Sequence, residues 1–347
     1  MTPLPLVTAD LPGSGGRIKV SPEDFRVDEI PAYEPSGAGA HLWIRVEKRG
    51  RTTRDVVRVL AARLGVSERD AGYAGLKDRA AVTTQWLSFC VARDPDGATL
   101  GGDGFAPLEI TRHDNKLRTG HLRGNRFTIT VRGGDAARAL ACARALRARG
   151  FANFFGAQRF GAAGRNADLG RALLLGRDDA ESRRAGRDRF LRRLVLSAWQ
   201  SRVFNTWLGE RLRDGLFDVA IRGDVLKKLD SGGLFTCAEP SVDTPRVARF
   251  ECAPTGPMFG HKMRAAEGEA LAREERLLAA EGVSAADLAR GRGETEGTRR
   301  AGRLPLDVAI TAHEDGYRAA FELPRGSYAT VVLNELTKSD LQLDEPD

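Results

Sequence analysis

A chain of 347 residues exceeds the usual size of a single domain, so two domains are expected. Its composition, 41% hydrophobic and 29% charged, is that of a soluble globular protein, and no apolar run approaches the roughly 18 residues of a membrane span. The net charge of +7 is unevenly placed: residues 111–132 carry six Lys/Arg against the single acid Asp114, and residues 181–193 carry six Arg against two acids. Such segments point to a polyanionic partner, nucleic acid first, or to a solvated arginine-rich surface. A membrane partner is not expected, because no segment joins a basic face to a bulky apolar one.

Residues 1–16 are rich in Pro and Gly and lack the basic start and apolar core of a signal peptide, which predicts a cytoplasmic protein. Two short extended pieces, Arg17–Val20 and Phe25–Ile30, flank the turn Ser21-Pro22-Glu23-Asp24. Leu42, Ile44 and Val46 alternate as a strand; Thr52 or Thr53 caps a helix carrying Val56, Val57, Leu60 and Leu64, which Gly65 stops. Strands are predicted over Thr83–Val91, Leu108–Arg112 and Arg126–Arg132, then a helix from Asp135 to about Arg149. From Arg165 the chain is mainly helical, with a long helix over Arg187–Asp214 and another over Ala265–Glu281. Residues 291–303, with four glycines and four arginines, read as an exposed loop or linker. Strand alternation returns over Leu304–Ile310, Tyr317–Leu323 and Tyr328–Leu336, the last two joined by a Pro-Arg-Gly-Ser turn. A helical block between two strand-rich blocks predicts an insertion into an α+β domain with a mixed sheet.

The four cysteines are scattered without Cys-x-x-Cys spacing and read as reduced thiols; the histidines show no metal-ligand spacing. Neither a phosphate-binding loop nor a dinucleotide fingerprint is present in the sequence. The chemistry-bearing stretch is Gly72–Gln85, in which Asp78 stands between Lys77 and Arg79 after two glycines. By itself such a triplet is also what a charged surface turn looks like. Flanking cations favour the ionised carboxylate, which suits a nucleophile or base rather than a general acid. Asn153–Gly161, with three phenylalanines, two glycines and Arg159, reads either as a stacking groove for nucleic acid or as a packed hinge. Asn125 and Phe127 read either as a base-contacting pair or as a turn asparagine and a core ring.

Taken in order, six segments resemble the TruD family of tRNA pseudouridine synthases: Lys19–Phe25, Ala74–Arg79 with Thr83–Trp86, Gly124–Phe127, Asn153–Gly161, Pro254–Gly260 and Phe321–Thr330. The resemblance implies a discontinuous pseudouridine-synthase domain, 1–152 and 303–347, with a mixed, mainly antiparallel sheet and flanking helices. A largely helical α/β TRUD domain, 153–302, would interrupt it. It implies an isomerase converting uridine 13 of tRNA to pseudouridine, with Asp78 as the catalytic residue and Phe25, Asn125 and Phe321 contacting the uridine. Phe127 would take a ring position usually held by tyrosine, with Lys19 and Lys77 in support. The reaction rearranges atoms already in the substrate, so neither metal nor other cofactor is expected. A monomer is expected. The target base would be flipped from its stack. Three openings stand for Asp78: attack at C1′, attack at C6, or removal of the C2′ proton. A non-enzymatic tRNA-binding protein or RNA chaperone on the same scaffold is the second reading, and a metal-dependent nuclease a distant third.

Overall fold

The computed structural model describes residues 3–290 and 296–339. In chain order the elements are β1 (Phe25–Pro31), β2 (His41–Arg49), α1 (Thr53–Leu64), β3 (Gly72–Tyr73), β4 (Val82–Cys90), β5 (Phe105–His113), β6 (Leu122–Arg132) and α2 (Ala136–Arg149). Then come β7 (Phe151–Ala152), α3 (Arg165–Leu174), α4 (Ala180–Arg187), α5 (Arg189–Arg213), β8 (Val225–Lys228), β9 (Leu234–Thr236), α6 (Pro240–Ala248) and β10 (Cys252–Met258). The chain continues through α7 (Gly268–Glu281), α8 (Ala285–Arg290), β11 (Thr298–Ala301), β12 (Arg303–Leu304), β13 (Val308–His313), β14 (Gly316–Pro324) and α9 (Ala329–Thr337). This is an α+β fold, and none of its described helices is long and apolar enough to cross a membrane.

The chain divides into two compact units. One comprises residues 11–144, 306–329 and 336–339. It holds an eight-stranded sheet in the order β13-β14-β6-β1-β4-β2-β5, with β3 paired to β4. Every pair is antiparallel except β1 with β4. Helix α1 forms where expected. Thr52 accepts from Asp55 N–H at 3.1 Å while the Asp55 carboxylate accepts from Thr52 N–H at 2.9 Å, and Gly65 closes the helix in the left-handed region. Its Val56, Val57 and Leu60 bury against Leu42, Ile44, Val46, Leu87 and Phe89 of β2 and β4. The other face of those strands is covered too, by Trp43, Trp86, Ala74 and Leu117.

The second unit comprises residues 3–10, 145–305 and 330–335. Its longest helix, α5, starts on Asp188, whose carboxylate accepts from Phe190 and Leu191 N–H. The stripe Trp199, Phe204 and Trp207 is core. Beside the helices stands a four-stranded sheet, β11-β10-β8-β9.

Two sequence expectations are corrected. Tyr328–Leu336 is not a strand: residues 329–337 are α9, and the Pro324–Ser327 turn, with Gly326 at φ 79°, leads into that helix. Between Ala329 and Leu336 every residue but Asn334 is buried, so the apolar run carries no period that separates strand from helix. Within α9, Glu335 is 1% exposed and its carboxylate accepts from Val7 N–H at 2.7 Å, Thr8 N–H at 3.0 Å and the Thr8 hydroxyl at 2.6 Å. The expected loop at 291–303 lies outside the described residues over 291–295, but 298–301 is strand β11 and its arginines are packed. Arg299 pairs with Glu274 at 2.6 Å, both almost fully buried; Arg300 lies 4.1 Å from the Phe155 ring centre and Arg303 4.0 Å from that of Phe250. Guanidinium groups stack on rings and carry apolar stems, so an arginine-rich stretch whose one aliphatic residue is an alanine can still be interior.

Burial pushes the Glu274 carboxyl above its ordinary range, although Arg299 beside it pulls the other way. Arg299→Met should therefore lower stability by roughly 3–5 kcal/mol in urea unfolding, and Arg299→Met combined with Glu274→Leu should recover most of that loss. Equal losses in the single and double variants would show that the ion pair is not what the strand depends on.

Candidate active site

The loop from Ala74 to Ala81, between β3 and β4, is held from several sides. Lys77 N–H donates to the Thr53 hydroxyl at 3.0 Å, that hydroxyl donates to Gln85 Oε1 at 2.8 Å, and Gln85 Nε2 donates back to the Gly75 carbonyl at 3.2 Å. Asp78 turns its own backbone, accepting from Ala80 N–H on Oδ1 at 3.0 Å. Its other oxygen, Oδ2, pairs with Lys19 Nζ; the Asp78 side chain is 34% exposed and that of Lys19 13%.

The two cations adjacent in sequence turn elsewhere. Lys77 Nζ lies 3.0 Å from Glu29 Oε2 and donates to Asn125 Oδ1 at 2.6 Å. Arg79 Nε donates to the Gly50 carbonyl at 3.4 Å. Lys19 is thus the cation at the Asp78 carboxylate. It stands in the left-handed region, φ 54°, a conformation that is uncommon without glycine. The extended piece expected at Arg17–Val20 is reduced to one bridge, Arg17 to Arg132.

What holds that turn is a pair the sequence reading missed. Asp24, 2% exposed, accepts from Arg132 through two nitrogens at 2.9 and 2.8 Å and from Ser21 N–H at 3.0 Å. Burial alone would raise the Asp24 carboxyl, but these bonds outweigh it and hold it below its ordinary range.

Beside Lys19 the three expected rings converge. Lys19 Nζ lies 4.7 Å from the Phe25 ring centre, Phe25 meets Phe127 edge-on at 6.4 Å, and Phe127 stacks on Phe321 at 5.4 Å. All three rings are buried. The registers explain the meeting: Phe321 lies opposite Phe127 across β14 and β6, while Val27 of β1 lies opposite Phe127, so Phe25 is its diagonal neighbour. Asn125, two residues before Phe127, lies opposite Glu29. The structure thus brings Asp78, Lys19, Phe25, Phe127, Phe321, Lys77 and Asn125 into one unit and one neighbourhood. The Asn153–Gly161 segment belongs to the other unit and is packed there. Phe154, Phe155 and Phe160 are buried, Asn205 bonds both backbone groups of Phe155, and the Asn153 carboxamide bonds Ala301 and Arg300.

Lys48 is a second omission of the sequence reading. It is 1% exposed, and its Nζ donates to the carbonyls of Asp78 at 2.7 Å and Arg51 at 2.8 Å. Burial pushes its ammonium down to about 8; Asp78 and Asp55 pull it up and Lys77 pushes it further down. A signal for both Lys48 and Glu29 exists. Lys48 continues the inward alternation Leu42, Ile44, Val46, and Glu29 continues Phe25, Val27. A charge on an apolar strand face is a site candidate, because such groups are buried only when partnered.

Comparison with known proteins identifies the family. A family model described as tRNA pseudouridine synthase D (TruD) matches residues 4–182 and 177–336. The chain is 68% identical over 347 residues to the tRNA pseudouridine synthase D of Anaeromyxobacter sp. (strain Fw109-5), covering 100% of this chain and 99% of the relative. It is 41% identical over 345 residues to that of a Thermus thermophilus strain, covering 96% and 92%. A crystal structure from Methanosarcina mazei, described as a putative tRNA pseudouridine synthase D (TruD), shares the fold with a TM-score of 0.78 at 24% identity, covering 97% of this chain and 96% of that one. The fold and the relatives define a pseudouridine synthase, an isomerase acting on tRNA. The chain belongs to the tRNA pseudouridine synthase D (TruD) family.

The buried ammonium of Lys48 gives a pH dependence of fixed sign. Unfolded, this lysine keeps its proton to about 10.4; folded, it gives it up near 8. Between those values the unfolded chain binds more protons, so stability rises with pH across that window. Urea unfolding of the wild type and of Lys48→Met at pH 7 and pH 9.5 should show the wild type gaining roughly 1–2 kcal/mol on the variant. A pH-independent difference would show that Lys48 is not held as a strained cation.

Proposed function

We propose that the protein converts uridine 13 of tRNA to pseudouridine, with Asp78 opening the reaction. The observation that carries this reading is the Asp78 carboxylate itself. It is partly exposed and paired with Lys19, whose ammonium lies over Phe25, the first of three rings in mutual contact, while the preceding residue, Lys77, bonds Asn125. The reaction breaks the N1–C1′ bond of the nucleoside and rejoins C5 of the same uracil to C1′, the C5 proton leaving and N1 gaining one. An ionised carboxylate starts it by attack at C1′ or C6, or by taking the C2′ proton. Lys19, its side chain 13% exposed, is the cation paired with that carboxylate.

The target base leaves its stack to reach Asp78. Phe25, Phe127 and Phe321 form the apolar side of its pocket, and Asn125 meets its polar edge. A flipped base regains part of its lost stacking against such rings, about 1–3 kcal/mol per contact. The catalytic domain in this reading is 1–152 with 303–347, and 153–302 is the inserted TRUD domain. Backbone phosphates are met by basic surface, including Arg183, Arg184 and Arg187 around a depression on α4, which gives binding that weakens with salt. A tRNA-modifying enzyme works in the cytoplasm, where tRNA is processed.

Asp78→Asn and Asp78→Ala should each reduce pseudouridine formation by on the order of 10³-fold or more while tRNA binding stays within a few-fold of wild type. The check is nucleotide-resolution mapping of pseudouridine in tRNA before and after incubation with purified protein. Turnover by the alanine variant would remove Asp78 from its role; modification at another position would overturn the assignment to uridine 13. If the wild type binds tRNA and modifies none, the protein is an RNA-binding protein on this scaffold.

A further inference from the structure

The contact between Lys77 and Asn125 fixes more than a position. An ammonium has three donors and no acceptor. The amide atom 2.6 Å from Lys77 Nζ is therefore the oxygen, and the Asn125 amide is oriented by chemistry rather than by choice. Its NH2 group points away from Lys77 and makes no hydrogen bond among the described residues. Turning the amide over would bring two donors together and lose a charge-assisted bond.

Lys77 is itself held. Its side chain is 6% exposed, and the balancing carboxylate of Glu29, 1% exposed, lies 3.0 Å away. Glu29 sits directly opposite Asn125 in the β1–β6 ladder, and its second oxygen accepts from Trp86 N–H at 3.3 Å. Glu29, Lys77 and Asn125 form one chain of contacts with a single polarity at its outer end.

We propose that Lys77 and Glu29 are positioning residues that lock the Asn125 amide in the orientation matching uracil and opposing cytosine. This rests on the reading of the site as a uridine pocket. With the amide so held, Nδ2–H donates to uracil O4, and the lone pair of Oδ1 not used by Lys77 accepts from N3–H. Cytosine carries the reverse at both places, an amine at C4 and a bare N3. An asparagine free to turn over would fit either base. The discrimination therefore resides in the buried ion pair behind the asparagine, not in the asparagine alone.

The test uses two versions of a tRNA transcript that the wild-type protein modifies, carrying uridine or cytidine at the target position. Their affinities are compared in an Asp78→Asn background, where chemistry is silent. With Lys77 intact the uridine form should bind on the order of 10–100-fold more tightly. Adding Lys77→Met should bring the ratio near parity, chiefly by improving binding of the cytidine form, whereas a purely structural role would weaken both forms alike. Differences in stacking and pairing of the two bases are common to both proteins and cancel in the comparison. Lys77→Gln, whose amide can accept as well as donate and so leaves Asn125 free to turn over, should also collapse the preference, and it decides the matter if Lys77→Met does not fold. An unchanged ratio in either folded variant overturns the inference. Failure of the wild type to form pseudouridine in any tRNA overturns instead the reading beneath it.

Discussion

The register of β6 between its two neighbours is the constraint on which the site depends. Strand side chains alternate between faces, so a slip of one residue against β1 or β14 would move every site side chain on that strand to the wrong side. In the observed register Glu29 faces Asn125 and Phe321 faces Phe127. Gly124 shows how closely β6 and β14 approach: a Cβ there would lie 2.2 Å from the Leu323 carbonyl oxygen. No side chain fits, which ties the register of this ladder to one glycine beside Asn125.

Around that ladder the polar groups are arranged so that Asp78 is partly exposed while Lys48, Thr53 and Asp24 are buried. Lys48 and Thr53 hold the backbone of the Asp78 loop from within the protein, and Asp24 with Arg132 holds the turn that carries Lys19. A carboxylate left partly open to solvent can be held rigidly only by groups behind it. The interior placement of Lys48 weakens its hold on its own proton, and the fold retains it because it satisfies two carbonyls that would otherwise be buried at the loop.

Much of this was legible in the residues. Alternation located β1, β2, β4 and β6, capping signals located α1, and the order of six short segments pointed to the family. Lys19 entered only through the resemblance, which set it in support of Asp78. What stayed hidden depended on tertiary context. Continuous burial concealed the helical nature of 329–337. Ring stacking and a buried partner made interior residues of arginines that read as solvated. Glu29 and Lys48 were passed over because a charge was treated as surface, although each continued an apolar face. The polarity of Asn125 needed the position of one lysine nitrogen, which no pattern in the sequence supplies.

The pairing of β6 with β14 also sets an order in time. Arg126 and Glu322, bonded across that ladder, are 196 residues apart in the chain. During synthesis Asp78, Lys19 and Asn125 leave the ribosome long before Phe321 exists, and nearly all of the second unit is made in between. Until residues 316–324 arrive, one edge of β6 is an unpaired template for any passing strand, the kind of exposure that invites misassembly. A nascent chain therefore carries Asp78, Lys19, Lys77 and Asn125 long before the strand that closes this edge of their sheet.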